Sequence, residues 1–188
     1  MPNIIINGNS YDLKCTTTDC NNGLHCFKPS IPLQRKGIEK GCCRNCKSTL
    51  IDWTRLYALD KGNYDYAREA FKLEFIRNVF WSIKKPTDQM KVKINKLTDN
   101  ELRETVAARL KATLSKPHNE NHFDGRQTSI SDQNIVHWAQ HATGTCCRIC
   151  LEEWYGIDKN QAQISDREYE YFEWIVLQYI REKMSEIE

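Results

Sequence analysis

Apolar residues recur along most of the chain with the period of an α-helix. Phe71, Phe75, Ile76, Val79, Phe80 and Ile83 give a wide apolar face at i, i+4 spacing, which predicts a long helix starting after Asn63 and stopped by Pro86. Leu102, Val106 and Leu110 repeat every four residues behind Thr98-Asp99-Asn100-Glu101. That tetrapeptide is a capping box, in which the threonine side chain meets the third amide and the glutamate reaches back. Ser165-Asp166-Arg167-Glu168 repeats the device before a last helix, whose buried stripe is Phe172, Ile175, Val176, Tyr179 and Ile180. A shorter helix fits Leu50 to Leu59.

Two stretches break this rhythm. Residues 3–14, with Ile4-Ile5-Ile6 and a Gly8-Asn9 turn signal, suit a short β-hairpin. From Cys15 to Cys46 no helical period is visible, and Ser115 to Ser131, with Pro117 and Asp124-Gly125, reads as a loop. The fold class expected is mostly α: a metal-organised, cysteine-rich N-terminal module with a short β-hairpin, followed by a helical C-terminal domain with a second metal site. Residues 1–90 form the first unit and residues 97–188 the second, with the boundary in the lysine-rich stretch between Lys84 and Leu97.

At 188 residues the chain can bury a real core without covalent staples. No apolar run is long enough to span a bilayer, and Met1-Pro2-Asn3-Ile4 lacks the pattern of a secretory signal, so the expected location is cytoplasmic. Nine cysteines in such a compartment remain thiols that can take metal. The net charge of +2 hides an asymmetry: Lys28 to Lys47 holds six basic residues against Glu39 alone, whereas Glu152 to Glu188 carries ten acidic residues and four basic ones. An unpaired basic segment can mark an anionic partner, although a solvated face with no partner explains such a run as well.

The most specific internal feature is a repeat, Cys42-Cys43-Arg44-Asn45-Cys46 and Cys146-Cys147-Arg148-Ile149-Cys150. A Cys-x-x-Cys turn presents two thiolates to one tetrahedral ion, backbone amides within the turn favour their charged form, and the arginine inside each turn adds positive charge beside them. For the first site Cys43 and Cys46 form one pair, and Cys15 and Cys20 are chosen as the other, with Cys26 as the substitute, since spacing leaves the choice open; His25 is only a neighbour. Four thiolates close the shell of zinc and make a structural site. The second site draws on His141, Cys147 and Cys150, with Cys146, a thiolate from the N-terminal module, or water in the fourth position. His137 shares a helical face with His141, one turn away.

The stretch Ala139-Gln140-His141-Ala142-Thr143-Gly144-Thr145-Cys146-Cys147-Arg148-Ile149-Cys150-Leu151, with Asp124-Gly125-Arg126-Gln127-Thr128 upstream, resembles the signature of a bacterial domain-of-unknown-function (DUF) family over about Glu101 to the C-terminus. The resemblance implies a fold and a site, and no reaction. Where that family has histidines this chain has Asn134 and Tyr155, so neither position is an obligatory ligand. The N-terminal half, with Gly23-Leu24-His25-Cys26-Phe27, Cys43-Arg44-Asn45-Cys46, Ile51-Asp52-Trp53 and Ile76-Arg77-Asn78-Val79-Phe80-Trp81, is similar to an uncharacterised bacterial cysteine-rich zinc-module family, so the chain looks like a fusion of two metal modules. The histidines expected of that group are Asn78, Val79 and Ser82 here, which removes that helix as a metal ligand.

Two functions fit these residues. In the first, a zinc-binding protein presents Arg35, Lys36, Lys40, Arg44 and Lys47 to nucleic acid through phosphate contacts, with a protein partner fitting nearly as well. In the second, a metal-assisted hydrolase or nuclease uses an ion held by His141, Cys147 and Cys150 to activate water, with Glu152, Glu153 or Asp124 as general base. Phosphate-cradling loops, dinucleotide fingerprints and nucleophile elbows are absent from the sequence, which removes several other enzyme classes.

Overall fold

The computed structural model describes residues 3–6, 8–28 and 41–185. Asn3–Ile6 (β1) and Asn9–Asp12 (β2) pair antiparallel, with Ile4 opposite Tyr11. Among the described residues, eight α-helices follow the cysteine-rich segment: Trp53–Tyr57 (α1), Tyr64–Lys72 (α2), Phe75–Asn78 (α3), Asp88–Asn95 (α4), Asp99–Leu114 (α5), Ile135–Ala142 (α6), Arg148–Tyr155 (α7) and Asp166–Ser185 (α8). The mostly helical class and the N-terminal hairpin are as the sequence pattern predicts. Among the described residues no helix is long and apolar enough to cross a membrane.

Local signals act where they are written. The Thr98 hydroxyl accepts the Glu101 amide while the Glu101 carboxylate accepts the Thr98 amide at 2.7 Å, which starts α5. Ser165 and Glu168 make the same reciprocal pair ahead of α8. The predicted stripe of α8 is buried throughout, and α8 packs on α5 and α6. Helix α4, capped by the Thr87 side chain and burying Met90, occupies the lysine-rich stretch where no helix was expected.

The long helix predicted after Asn63 is interrupted. At Glu74 the backbone turns extended, because it pairs with His25: the His25 amide donates to the Leu73 carbonyl and the Phe75 amide to the His25 carbonyl, both at 2.8 Å. A strand-like contact from far along the chain overrides the local helical preference. Below α3 the chain widens into a π-helical turn, Val79–Ile83, closed by the Lys84 amide on the Val79 carbonyl. That turn packs on α6, where the Trp81 indole donates to the Ala142 carbonyl at 3.0 Å. α7 packs on α1. Between α6 and α7, Gly144 has φ +72°, and a Cβ there would lie 3.1 Å from the Trp154 ring. Glycine is what allows both the left-handed turn and the close approach.

Candidate metal centres

The first centre assembles from three local devices. A tight turn brings Cys20 round, since the Asp19 and Leu24 backbones bond to each other at 2.7 and 3.0 Å. His25 is fixed by its pairing with Leu73 and Phe75. The Cys43–Cys46 knuckle is closed by the Cys43 amide on the Ser48 carbonyl and the Lys47 amide on the Cys43 carbonyl, both at 3.0 Å, with Lys47 at φ 65°. The ligand atoms of Cys20, His25, Cys43 and Cys46 all lie within 4.8 Å of one another. Cys20 and Cys43 sulfurs are 3.7 Å apart, and His25 Nδ1 is 3.4 Å from Cys46 Sγ. A tetrahedral zinc with bonds of about 2.3 Å spaces its sulfurs about 3.8 Å apart, so this set can hold such an ion. The Ser48 hydroxyl and amide hydrogen-bond Cys46 and bring its thiol down to about 6, which favours the thiolate a metal needs.

This set differs from the one chosen on spacing. His25 stands where Cys15 was expected, and Cys15 lies elsewhere, beside Cys150. The substitute, Cys26, is fully buried, and its sulfur bonds to the Cys15 carbonyl at 3.3 Å. Cys42 stays outside, with its sulfur 3.4 Å from the Thr49 hydroxyl. Of the basic candidates, Arg44 is half-buried and Lys47 exposed at the rim of this centre, whereas Arg35, Lys36 and Lys40 lie outside the described residues.

The second centre sits at the start of α7. Cys147 is the residue before the helix, Cys150 is one turn in, and Cys146 precedes both. Their three sulfurs lie within 4.8 Å of one another, are almost wholly buried, and form no disulfide. The loop 124–128 holds the turn in place. Asp124 accepts the Arg148 amide at 3.0 Å and the Gln127 side chain at 3.2 Å, and also meets His118 Nδ1 at 2.9 Å. The Thr128 hydroxyl donates to the Cys146 carbonyl at 3.3 Å. Gln140, fully buried, donates to the Thr145 carbonyl and to the Thr113 hydroxyl. The extended motif therefore builds the scaffold of a thiol cluster.

Around these sulfurs lies a small chamber bordered by thiols and by charged side chains. A cavity of ≈ 10 Å³, about the size of one water or ion, is walled by Cys15, Lys28, Arg77, Cys146, Cys150 and Glu153 among others. A neighbouring one of ≈ 30 Å³ shares Cys15, Lys28, His141, Cys146 and Cys150. Cys150 is held well below the usual thiol range, because the hydrogen bonds from Cys146 and Cys147, with the Arg77 and Lys28 cations adding to them, together outweigh burial. Cys146 is pushed up by its hydrogen bonds with Cys147 and Cys150 and by burial; Cys147, against the lowering effect of its bond with Cys146, is pushed up by its bond with Cys150 and by burial. Burial raises the Cys15 thiol to about 11, and the charge of Cys150 adds to this.

His141 borders both cavities, but its ligand atom is not part of the close cluster. Burial takes its pKa down to about 4, so the ring is neutral at pH 7. Nε2 lies 3.2 Å from the Thr128 carbonyl, which can only accept; Nε2 therefore carries the proton, and the ring stacks on Phe80 at 5.2 Å. His137 is turned to Asp132, at 2.5 Å. Among the general-base candidates, Asp124 is occupied by the loop and Glu152 pairs with Lys159 at 2.8 Å. Glu153 alone faces the chamber; burial, together with Glu74 and Cys150, pushes its carboxyl well up, and its enclosed Oε1 has no hydrogen-bond partner among the described residues.

Several residues of this site were not singled out by spacing. Arg148, expected to supply charge beside the thiolates, points away, its Nε donating to the Leu114 carbonyl at 2.8 Å. Arg77 and Lys28 supply that charge instead. Arg77 Nε lies 2.7 Å from Glu74 Oε2, an ion-pair contact without hydrogen-bond alignment at Nε, while its NH1 donates to the His141 carbonyl. No periodicity marks such a pair, because both positions read as polar gaps in a helical face.

A family model described as a domain of unknown function, DUF4186, matches residues 65–181. It therefore begins upstream of Glu101, where the resemblance in the signature starts. No solved structure matches the chain.

Proposed function

Since the chain belongs to the DUF4186 family, whose description carries no activity, we propose that it is a zinc-binding protein with two thiolate-rich centres, acting as a binding or structural protein. The gathering of ligand atoms into two groups, each within 4.8 Å and the first drawn from positions as distant as Cys20 and Cys46, is the observation that carries this reading. Soft thiolates select zinc or iron–sulfur clusters, and the mixed histidine and cysteine donors of the first group suit zinc. The first centre is structural: the described residues of its segment form one short helical turn, Cys20–Asn22, and its ion supplies folding free energy. Elemental analysis with a quantitative protein assay tests the proposal. About two zinc ions per chain are expected; an empty chain, or iron with visible absorption, would refute it.

The partner proposed for the basic rim is nucleic acid, contacted by Arg35, Lys36, Lys40, Arg44 and Lys47 through phosphates. The support is charge: five cations occur in 13 residues next to the first knuckle. A second reading, metal-assisted hydrolysis, rests on Glu153. A buried carboxyl with a raised pKa beside a metal can serve as an acid or base. That chemistry needs an open position on the ion, so it stands or falls with the number of protein ligands at the second centre.

A further inference from the structure

Each Cys-Cys-Arg-x-Cys turn faces the same short N-terminal segment. Cys20 and His25 meet Cys43 and Cys46 in the first centre. Cys15 and Lys28, at the two ends of that segment, help wall the chamber of the second, together with Cys146 and Cys150. The segment between them is pinned at several points. The Cys26 carbonyl accepts the Arg44 amide at 2.8 Å, and the Phe27 amide donates to Glu74 at 3.3 Å.

We propose that Cys15 is the fourth ligand of the second centre, closing a shell of four thiolates with Cys146, Cys147 and Cys150. Residues 15–28 are then a bridge strung between two ions, and the ion at the family's motif is anchored by a residue outside the matched region 65–181. This inference rests on the reading that both centres hold zinc. Three sulfurs within 4.8 Å of one another leave one tetrahedral position to fill. Two donors border both cavities and compete for it, Cys15 and His141. The imidazole donates its Nε2–H to the Thr128 carbonyl and stacks on Phe80, which leaves Nδ1 as its one possible ligand atom; like the Cys15 sulfur, it lies outside the close group of three. The Cys15 sulfur has no hydrogen-bond partner among the described residues, although it lies among charged groups. Lys28 faces the same sulfurs and offsets part of the negative charge that four thiolates leave on a divalent ion. A closed shell leaves no site for water, which makes the second ion structural.

The test measures zinc content in the full chain and absorption after exchange into cobalt(II). The wild-type chain is expected to hold two ions and Cys15→Ala one. Cys15→His, which restores a donor, is expected to hold two, with the sulfur-to-cobalt band weaker by about one part in seven, the share of one thiolate among those of both centres. If Cys15→Ala does not fold, the Cys15→His spectrum decides, and an unchanged band overturns the proposal. A folded Cys15→Ala protein with two ions also overturns it while leaving the zinc reading intact; if His141→Ala then loses an ion, histidine is the fourth ligand. A wild-type chain with fewer than two ions removes the zinc reading and this inference together.

Discussion

Glu74→Gln takes away the carboxylate on which the N-terminal segment, α3 and α7 converge. Glu74 accepts the Phe27 amide at 3.3 Å and the Trp154 indole at 3.1 Å, and sits 2.7 Å from Arg77 Nε, both side chains being no more than 3% exposed. Burial pushes the Glu74 carboxyl up overall, against the pull of the Arg77 guanidinium and of the Phe27 and Trp154 N–H donors. Glutamine preserves the shape and strands the Arg77 charge, which also lies 4.7 Å from the Trp154 ring. Removing one partner of a buried ion pair costs about 3–5 kcal/mol, out of a total stability of about 5–15 kcal/mol. For a chain of this length that corresponds to a melting point lower by about 6–20 °C. Thermal melting followed by circular dichroism in zinc-replete buffer measures it, and Glu74→Gln/Arg77→Met should melt above Glu74→Gln because the stranded charge is gone. A Glu74→Gln protein melting within about 2 °C of wild type would refute the role given to the pair.

Cys46→Ser should lose one zinc ion and most of the cooperative melting of the N-terminal region, as elemental analysis and calorimetry would show; unchanged metal content contradicts a structural first centre. Thr98→Ala should cost about 1 kcal/mol in denaturant titration, through loss of the cap on α5, with zinc content unaltered. Charge reversal at Arg35, Lys36 and Lys40 should weaken nucleic-acid binding and flatten its dependence on salt, measured by fluorescence anisotropy, and a wild-type chain that binds no nucleic acid at low salt removes that partner.

What the sequence made legible was local. Both capping boxes, the α8 stripe and the Cys43–Cys46 pair depend on residues within a turn or two of each other, and each appears where its spacing puts it. What it concealed depends on distant partners. The break at Glu74 comes from backbone pairing with His25, which no helical pattern records. His25 stands in the first group where Cys15 was expected, and Cys15 lines the cavity beside the second, because a segment without a period gives no indication of which face each residue takes. Arg148 looks like a charge beside thiolates, but Asp124 fixes its amide and Leu114 takes its side chain, leaving that task to Arg77 and Lys28.

Zinc X-ray absorption on the full chain as purified tests most directly the claim that thiolates hold the ions. Two thiolate-rich centres predict an average first shell dominated by sulfur at about 2.3 Å, with a minor nitrogen contribution from His25 at about 2.0–2.1 Å. A shell dominated by nitrogen and oxygen near about 2.0 Å, or a protein that retains no zinc, would contradict it.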